Sequence, residues 1–328
     1  MSDDQDRINE QHLQPGESGI YELEFPEPHL VTSDGQGPVL IHALQGFSDA
    51  GHAIRLAAAH LRAALDTELV ASFAIDELLD YRSRRPLMTF KTDHFTSYDD
   101  PELSLYALRD SIGTPFLLLA GMEPDLKWER FITAVRLLAE RLGVRRTIGL
   151  GTVPMAVPHT RPITLTAHSN NGELIADFTP WISEIQVPGS ASNLLEYRMA
   201  QHGHEVVGFT VHVPHYLTQT DYPAAAQALL EQVAKSGSLD LPLAALSEAA
   251  AEIRAKIDEQ VEGSAEVAQV VAALERQYDA FIDAQATRSL LRRDEDLPSG
   301  DELGAEFERF LAQQAEKKFD DPDHPDPS

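Results

Sequence analysis

Val39-Leu-Ile-His-Ala-Leu44, then Gln45-Gly-Phe-Ser-Asp-Ala-Gly51, then the Ala- and Leu-rich run from Ala53 to Leu65, decide the architecture of this chain. The first segment is a continuous apolar run of strand length, the second a turn with two glycines, and the third repeats apolar residues at helical spacing. A strand that passes into a helix through a glycine-bearing turn is the repeating unit of α/β proteins. Such turns are where these proteins hold ligands or partners. This one has no Gly-Lys-Ser/Thr and no G-x-G-x-x-G spacing, so it is not a recognised phosphate loop. Nor is it a complete nucleophile elbow, because Ala50 stands where the second glycine belongs.

The same alternation extends outward. Strands are expected at Leu69 to Ala74, Pro115 to Ala120, Thr147 to Thr152, Ile163 to Ala167 and Val206 to Val213. Helices are expected at Ala53 to Leu65, Trp128 to Leu142 and Ser192 to His202. Apolar strands separated by helices predict a three-layer α/β/α fold around a mostly parallel sheet, with a helical C-terminal extension. Met88 to Tyr98 alternates more loosely and reads as a hairpin or extended excursion from that sheet. From Tyr222 the pattern becomes helical, with runs at Pro223 to Lys235, Leu243 to Val261 and Ala265 to Leu291. Val267, Val270, Val271, Leu274, Tyr278, Phe281 and Ile282 form one stripe along the last of these. The expected organisation is a polar arm over residues 1–17, an α/β/α domain over 18–221, a helical region over 222–318 and an acidic tail over 319–328. A final short helix falls at Leu303 to Lys317, and arm and tail are too polar to order themselves.

Composition narrows the function. The net charge of −27, from 26 basic and 53 acidic side chains, opposes binding to nucleic acid or anionic membrane. A local basic pocket for one small anion is a separate matter, so a small ligand stays open. With no cysteine, disulfides, thiol catalysis and cysteine-ligated metals are excluded. Neither a signal peptide nor an apolar run long enough to span a bilayer is seen, so the chain is expected in the cytoplasm. His212 and His215 are spaced like metal ligands only superficially, since Pro214 breaks the helix that the spacing needs. No metal and no cofactor is expected.

Three turns carry the candidate binding residues. In the first, Gly46 and Gly51 give steric relief. Ser48 or Asp49 caps the helix, and the alternative is a ligand or partner contact, or a serine nucleophile at Ser48. In the second, Gly121-Met-Glu-Pro-Asp-Leu-Lys-Trp128, the acids Glu123 and Asp125 either cap the next helix, with Trp128 packing its first turn, or serve a site. In the third, Gly149 to Pro162, three prolines stiffen a loop that presents His159 and Arg161. Arg161 suits a carboxylate or phosphate, or pairs with a resident acid. Arg82 and Arg85 in Tyr81-Arg-Ser-Arg-Arg-Pro86 form a rare basic spot. Because Ser48, Glu123 and His159 each follow a strand, all three are expected at one end of the sheet.

Gly46-Phe-Ser-Asp-Ala-Gly51, Tyr81-Arg-Ser-Arg-Arg-Pro86, Gly121-Met-Glu-Pro-Asp125 with Trp128, Gly151 to Pro162, and Val213-Pro-His-Tyr-Leu217 occur here in one order. In that order they resemble the PAC2 family, named after the second proteasome assembly chaperone, in its actinobacterial form. The likeness spans about Gly19 to Leu291. It implies a domain similar to nucleoside phosphorylases and peptidyl-tRNA-hydrolase-like proteins, often oligomeric, and no established reaction. It implies a non-catalytic protein-binding or assembly factor, the alternative being a small-molecule enzyme or ligand binder of hydrolase, phosphorylase or ATP-dependent type. Members that act on proteasomes dock through a C-terminal hydrophobic-Tyr-any tripeptide. The ending Asp326-Pro327-Ser328 lacks it, so another docking route is expected. The long apolar helical stripes suggest a closed homo-oligomer, and family habit makes it a trimer.

Overall fold

The structure, a computed structural model, describes residues 19–26, 28–32, 35–46, 48–178 and 184–293. The expected arm, acidic tail and helix at Leu303 to Lys317 lie outside them. Of the described residues, those up to Glu275 form one unit and those from Arg276 to Arg293 belong to a second. Strand β1 is Tyr21–Leu23, β2 Val39–Gln45, β3 Thr67–Phe73, β4 Met88–Lys91 and β5 His94–Tyr98. Next come β6 Leu103–Arg109, β7 Pro115–Met122, β8 Arg146–Met155, β9 Leu165–Ser169 and β10 Glu205–Pro214. The helices are α1 Ala53–Ala64, α2 Ile75–Leu78, α3 Trp128–Arg141, α4 Ala191–Gln201, α5 Pro223–Gly237, α6 Ala244–Glu262 and α7 Ala265–Arg293.

Eight strands make one sheet in the order β1-β3-β6-β7-β2-β8-β10-β9. Only its centre is parallel, through the pairs β7–β2, β2–β8 and β8–β10. The pairs β1–β3, β3–β6, β6–β7 and β9–β10 are antiparallel. The expectation of a mostly parallel sheet is therefore wrong, and the sheet is mixed. Much of the difference lies in β6. This buried run joins β7 through the short Asp110–Thr114 turn, which has no length for a crossover and so returns antiparallel. Asp110 shapes that turn by accepting from the backbone N–H groups of Ile112 and Thr114.

Alternation along β2 shows the layers. Val39, Ile41 and Ala43 pack with α1 and α5, and Leu246 and Ile257 of α6 join that cluster. Leu40 and Leu44 pack on the other face with α3 and α4. Three layers result, as the apolar periodicities of α1 and α3 require. On α7, Val271 and Leu274 are buried while Val267 and Val270 are exposed, so the apolar stripe is only partly covered. Strands β4 and β5 pair with each other alone, as an expected hairpin set off from the main sheet.

Phe131 of α3 is fully buried and stacks edge-on against Phe73 of β3 with centroids 5.2 Å apart. Phe131→Ala is expected to lower stability by about 3–5 kcal/mol, the usual cost of an aromatic-sized core cavity. Urea unfolding checks it, with a loss below about 1 kcal/mol contradicting this packing.

Candidate functional site

Strands β2, β7 and β8 run parallel, so the turns after them emerge along one edge of the sheet. Ser48, Glu123 and His159 all lie beyond those strand ends, but their side chains are committed to different neighbours. Ser48 Oγ donates to the Thr152 carbonyl on β8 at 3.1 Å. Thr152 Oγ1 in turn donates to the Ser48 carbonyl and accepts from Ala50 N. Asp49 is the helix cap. Its carboxylate accepts from Ile54 N at 2.8 Å and Arg55 N at 3.2 Å, while burial pushes its pKa above the ordinary carboxylate value. Gly51 has φ +65° and passes so close to Tyr222 that a Cβ would lie 2.9 Å from the tyrosine Cβ. Its N–H and carbonyl bond the backbone of Thr218 and Tyr222, tying the turn to the start of α5.

Glu123 is buried, and its Oε1 accepts from Ser192 N in the first turn of α4 at 3.0 Å. Gly46 makes room for it, since any Cβ there would overlap the Glu123 carboxylate. Asp125 does not cap α3, whose N-cap position is taken by Lys127 with no side-chain bond. Its carboxylate instead accepts from Asp80 N and pairs with Arg84 at 2.7 Å. Arg84 also donates to the carbonyls of Gln45 and Glu123, pinning the ends of β2 and β7 together. Within the basic spot it is thus Arg84 that holds the strand ends, whereas Arg82 and Arg85, the two singled out from the sequence, are exposed. Trp128 Nε1 donates to the Pro124 carbonyl at 2.7 Å.

His159 is buried against Tyr216 and α6. Tyr216 OH accepts from His159 N at 2.8 Å and meets Nδ1 at 2.6 Å, which leaves Nε2–H to donate to Asp258 at 3.0 Å. Burial lowers the His159 pKa despite the Asp258 carboxylate. Arg254 donates to the His159 carbonyl, and Arg161 pairs with Glu275 of α7. Of the outcomes left open for Arg161, pairing with a resident acid is what the structure holds. The strand-end edge is a locked surface. Two concavities, of about 130 and 260 Å³, lie elsewhere, lined in part by Pro28 and Arg109 and by Arg146 and Phe209.

A second polar arrangement escaped the sequence. The strand registers place His42, Gly149, Gly208 and His168 in one row across β2, β8, β10 and β9. The two glycines leave a trough, and the Glu196 carboxylate of α4 occupies it. A Cβ on Gly149 would overlap Glu196, and one on Gly208 would overlap His168. Glu196 Oε1 lies 3.1 Å from His42 Nε2, and Oε2 bonds His168 Nε2. His42 Nδ1 meets Ser192 Oγ at 3.1 Å. Burial alone would raise the Glu196 pKa, but the hydrogen bond from His168 and the His42 ring 3.1 Å away outweigh it and hold it at about 2. The same bond to Glu196 raises the pKa of His168. The sequence signal was a glycine inside each of two apolar strands, which marks close approach of something bulky.

A model of the PAC2 family matches residues 43–261 of the chain. The chain belongs to the PAC2 family. The matched span runs from β2 into α6, and so takes in all three turns and the hairpin. The chain is 88% identical to Rv2714 of Mycobacterium tuberculosis, a protein of unknown function. That match has a TM-score of 0.83 over 85% of this chain and 95% of that one. A Corynebacterium glutamicum protein, also of unknown function, is 47% identical over 81% of this chain and 98% of that chain, with a TM-score of 0.78. The Mycobacterium tuberculosis proteasome-assembly chaperone homologue Rv2125 is 25% identical over 71% of this chain and 99% of that one, with a TM-score of 0.65. No curated protein matches the chain.

Gly149→Ala is expected to destabilise this PAC2 protein by at least about 2–3 kcal/mol, because the methyl group can enter only by displacing a carboxylate held by two histidines. Gly172→Ala serves as a control for backbone effects, with no positive φ and open space around it. Equal losses in the two variants, read by chemical unfolding, would count against a filled trough.

Proposed function

We propose that this PAC2 protein is a non-catalytic protein-binding or assembly factor that works as a homo-oligomer, with its hairpin as the docking element. The observation that carries the reading is the exposure of that hairpin. Every residue from Leu87 to Asp100 is exposed, including Leu87 at 77%, Phe90 at 59% and Phe95 at 61%. Met88 pairs with Tyr98 across the strands, and Phe90 with Phe95, whose rings meet edge-on at 5.2 Å. A two-stranded ribbon with no sheet behind it is marginal in water, and bare aromatic pairs on it mark a surface made for another protein.

Charge supports a second copy of the chain as occupant. Tyr81 to Pro86, leading into the hairpin, holds Arg82, Arg84 and Arg85 with no acid, whereas Leu87 to Asp100 holds Lys91 against Asp93, Asp99 and Asp100, within a chain of net charge −27. An aromatic ribbon with exposed Arg82 and Arg85 at its root is suited to the acidic body of a neighbouring copy. A closed ring, a trimer by family expectation, would satisfy every ribbon. The Rv2125 relative, itself a proteasome-assembly chaperone homologue, supports a wider protein-binding role. The mutual commitment of Ser48, Glu123 and His159 supports binding over small-molecule catalysis at the strand ends.

Light scattering coupled to size exclusion tests this. At tens of micromolar the protein is expected to run as a multiple of 36.2 kDa. The double variant Phe90→Ser/Phe95→Ser is expected to move to the monomer mass with unchanged circular dichroism. A wild-type monomer at that concentration refutes the oligomer, and an oligomer unaffected by the double change removes the hairpin from the interface.

A further inference from the structure

The His42–Glu196–His168 row has a shape that the proposed docking function does not use. Glu196 and His42 are buried, but His168 stands on the edge strand β9 with half its side chain in solvent. A continuous chain of polar contacts therefore leads from the surface at His168, through Glu196 and His42, to Ser192 in the first turn of α4. Ser192 N is held by Glu123 at the end of β7. Immediately before that turn the chain exposes Ile185 at 58% and Val187 at 63%.

We propose that His168, Glu196 and His42 form a proton-operated latch on α4. Protonated His168 clamps the helix to the sheet, and loss of that proton loosens its N-terminal turn together with the apolar segment before it. The glycine trough makes this specific to Glu196, because the strands supply no other side chain to hold α4 at that level. The other charged groups on the elements around α4 are Glu123 on the β7 side, the Arg198–Glu129 pair to α3, and the His204–Glu140 contact at 3.4 Å. His168 is the member that meets solvent at the sheet edge, so it is where the proton enters and leaves.

The direction of the pH effect follows from the two shifted groups. Glu196 is lowered from 4.5 to about 2, so its contribution is present above about pH 4.5 and is lost as pH falls toward 2. His168 is raised from 6.5, so its contribution is complete below pH 6.5 and fades as pH rises through its folded value. The latch is firmest between those limits and loosens on the alkaline side.

Hydrogen exchange on the full-length protein, corrected for intrinsic rates, reads the latch directly. Between pH 6 and 9 the protection of α4 amides is expected to fall, by about tenfold for each unit by which His168 is raised. Peptides from α3 and α5 should hold their protection, and His168→Gln should flatten the α4 dependence. An unchanged α4 in wild type, or the same fall in His168→Gln, overturns the proposal. A nuclear magnetic resonance titration of the His168 ring in wild type needs no variant. A midpoint above 6.5 supports the latch, and one at or below it overturns it.

Discussion

Left alone on the face of the sheet, the Glu196 carboxylate would cost several kcal/mol in lost hydration. It is tolerated because two histidines reach it from β2 and β9 and because β8 and β10 withdraw their side chains beneath it. Each of those conditions constrains the backbone. His42, Gly149, Gly208 and His168 must stay in one register line, since a one-residue slip would turn each of them to the other face. The registers of β2 with β8 and of β8 with β10, and the seating of α4, must all accommodate this single charged group. Seating α4 in turn brings Ser192 N to Glu123, and Glu123 fills the space that Gly46 leaves. The buried row and the strand-end edge are parts of one polar framework.

That framework commits the described polar side chains of the three turns to internal bonds. In open α/β sheets the strand ends usually leave a crevice for a ligand. Here Arg84 draws the ends of β2 and β7 together, Thr152 takes up Ser48, and Tyr216 with Asp258 takes up His159. The donors and acceptors that a small molecule would use already serve internal bonds, and opening them would leave buried groups unpaired. A rigid edge of this kind suits a scaffold that displays other elements. The hairpin, which lies between β3 and β6 in the chain and is exposed throughout, is the element so displayed under the proposed function.

Helix and strand positions were legible because burial imposes periodicity. Ala53 to Leu65, Trp128 to Leu142 and Val206 to Val213 were each expected within a residue or two of α1, α3 and β10. Strand direction was not legible in the same way. Leu103 to Arg109 is as apolar as a central parallel strand, and only the short turn after it reveals that it runs the other way. Local chemistry was read partly right. Asp49 caps its helix as its position suggested, whereas Asp125, equally well placed in sequence, was drawn to Arg84 by tertiary contact. The His42 row was out of reach, since its members come from four strands and a helix spread over more than 150 positions, and only register brings them together.

For an acidic chain to assemble with itself as proposed, a general repulsion must be made local. Charges on separate bodies are screened beyond about 8 Å at physiological ionic strength, so what counts at an interface is the few side chains actually facing each other. Arg82 and Arg85 are exposed in the segment that leads into the hairpin, and Lys91 lies on it. In the proposed interface apolar burial on the ribbon would supply the attraction, and the arginines just before it would offset the acidic surface it approaches. The remaining surplus of carboxylates would oppose contacts that lack the ribbon. High net charge does not by itself forbid self-association, because the ribbon supplies apolar surface and the segment leading into it supplies the opposite sign.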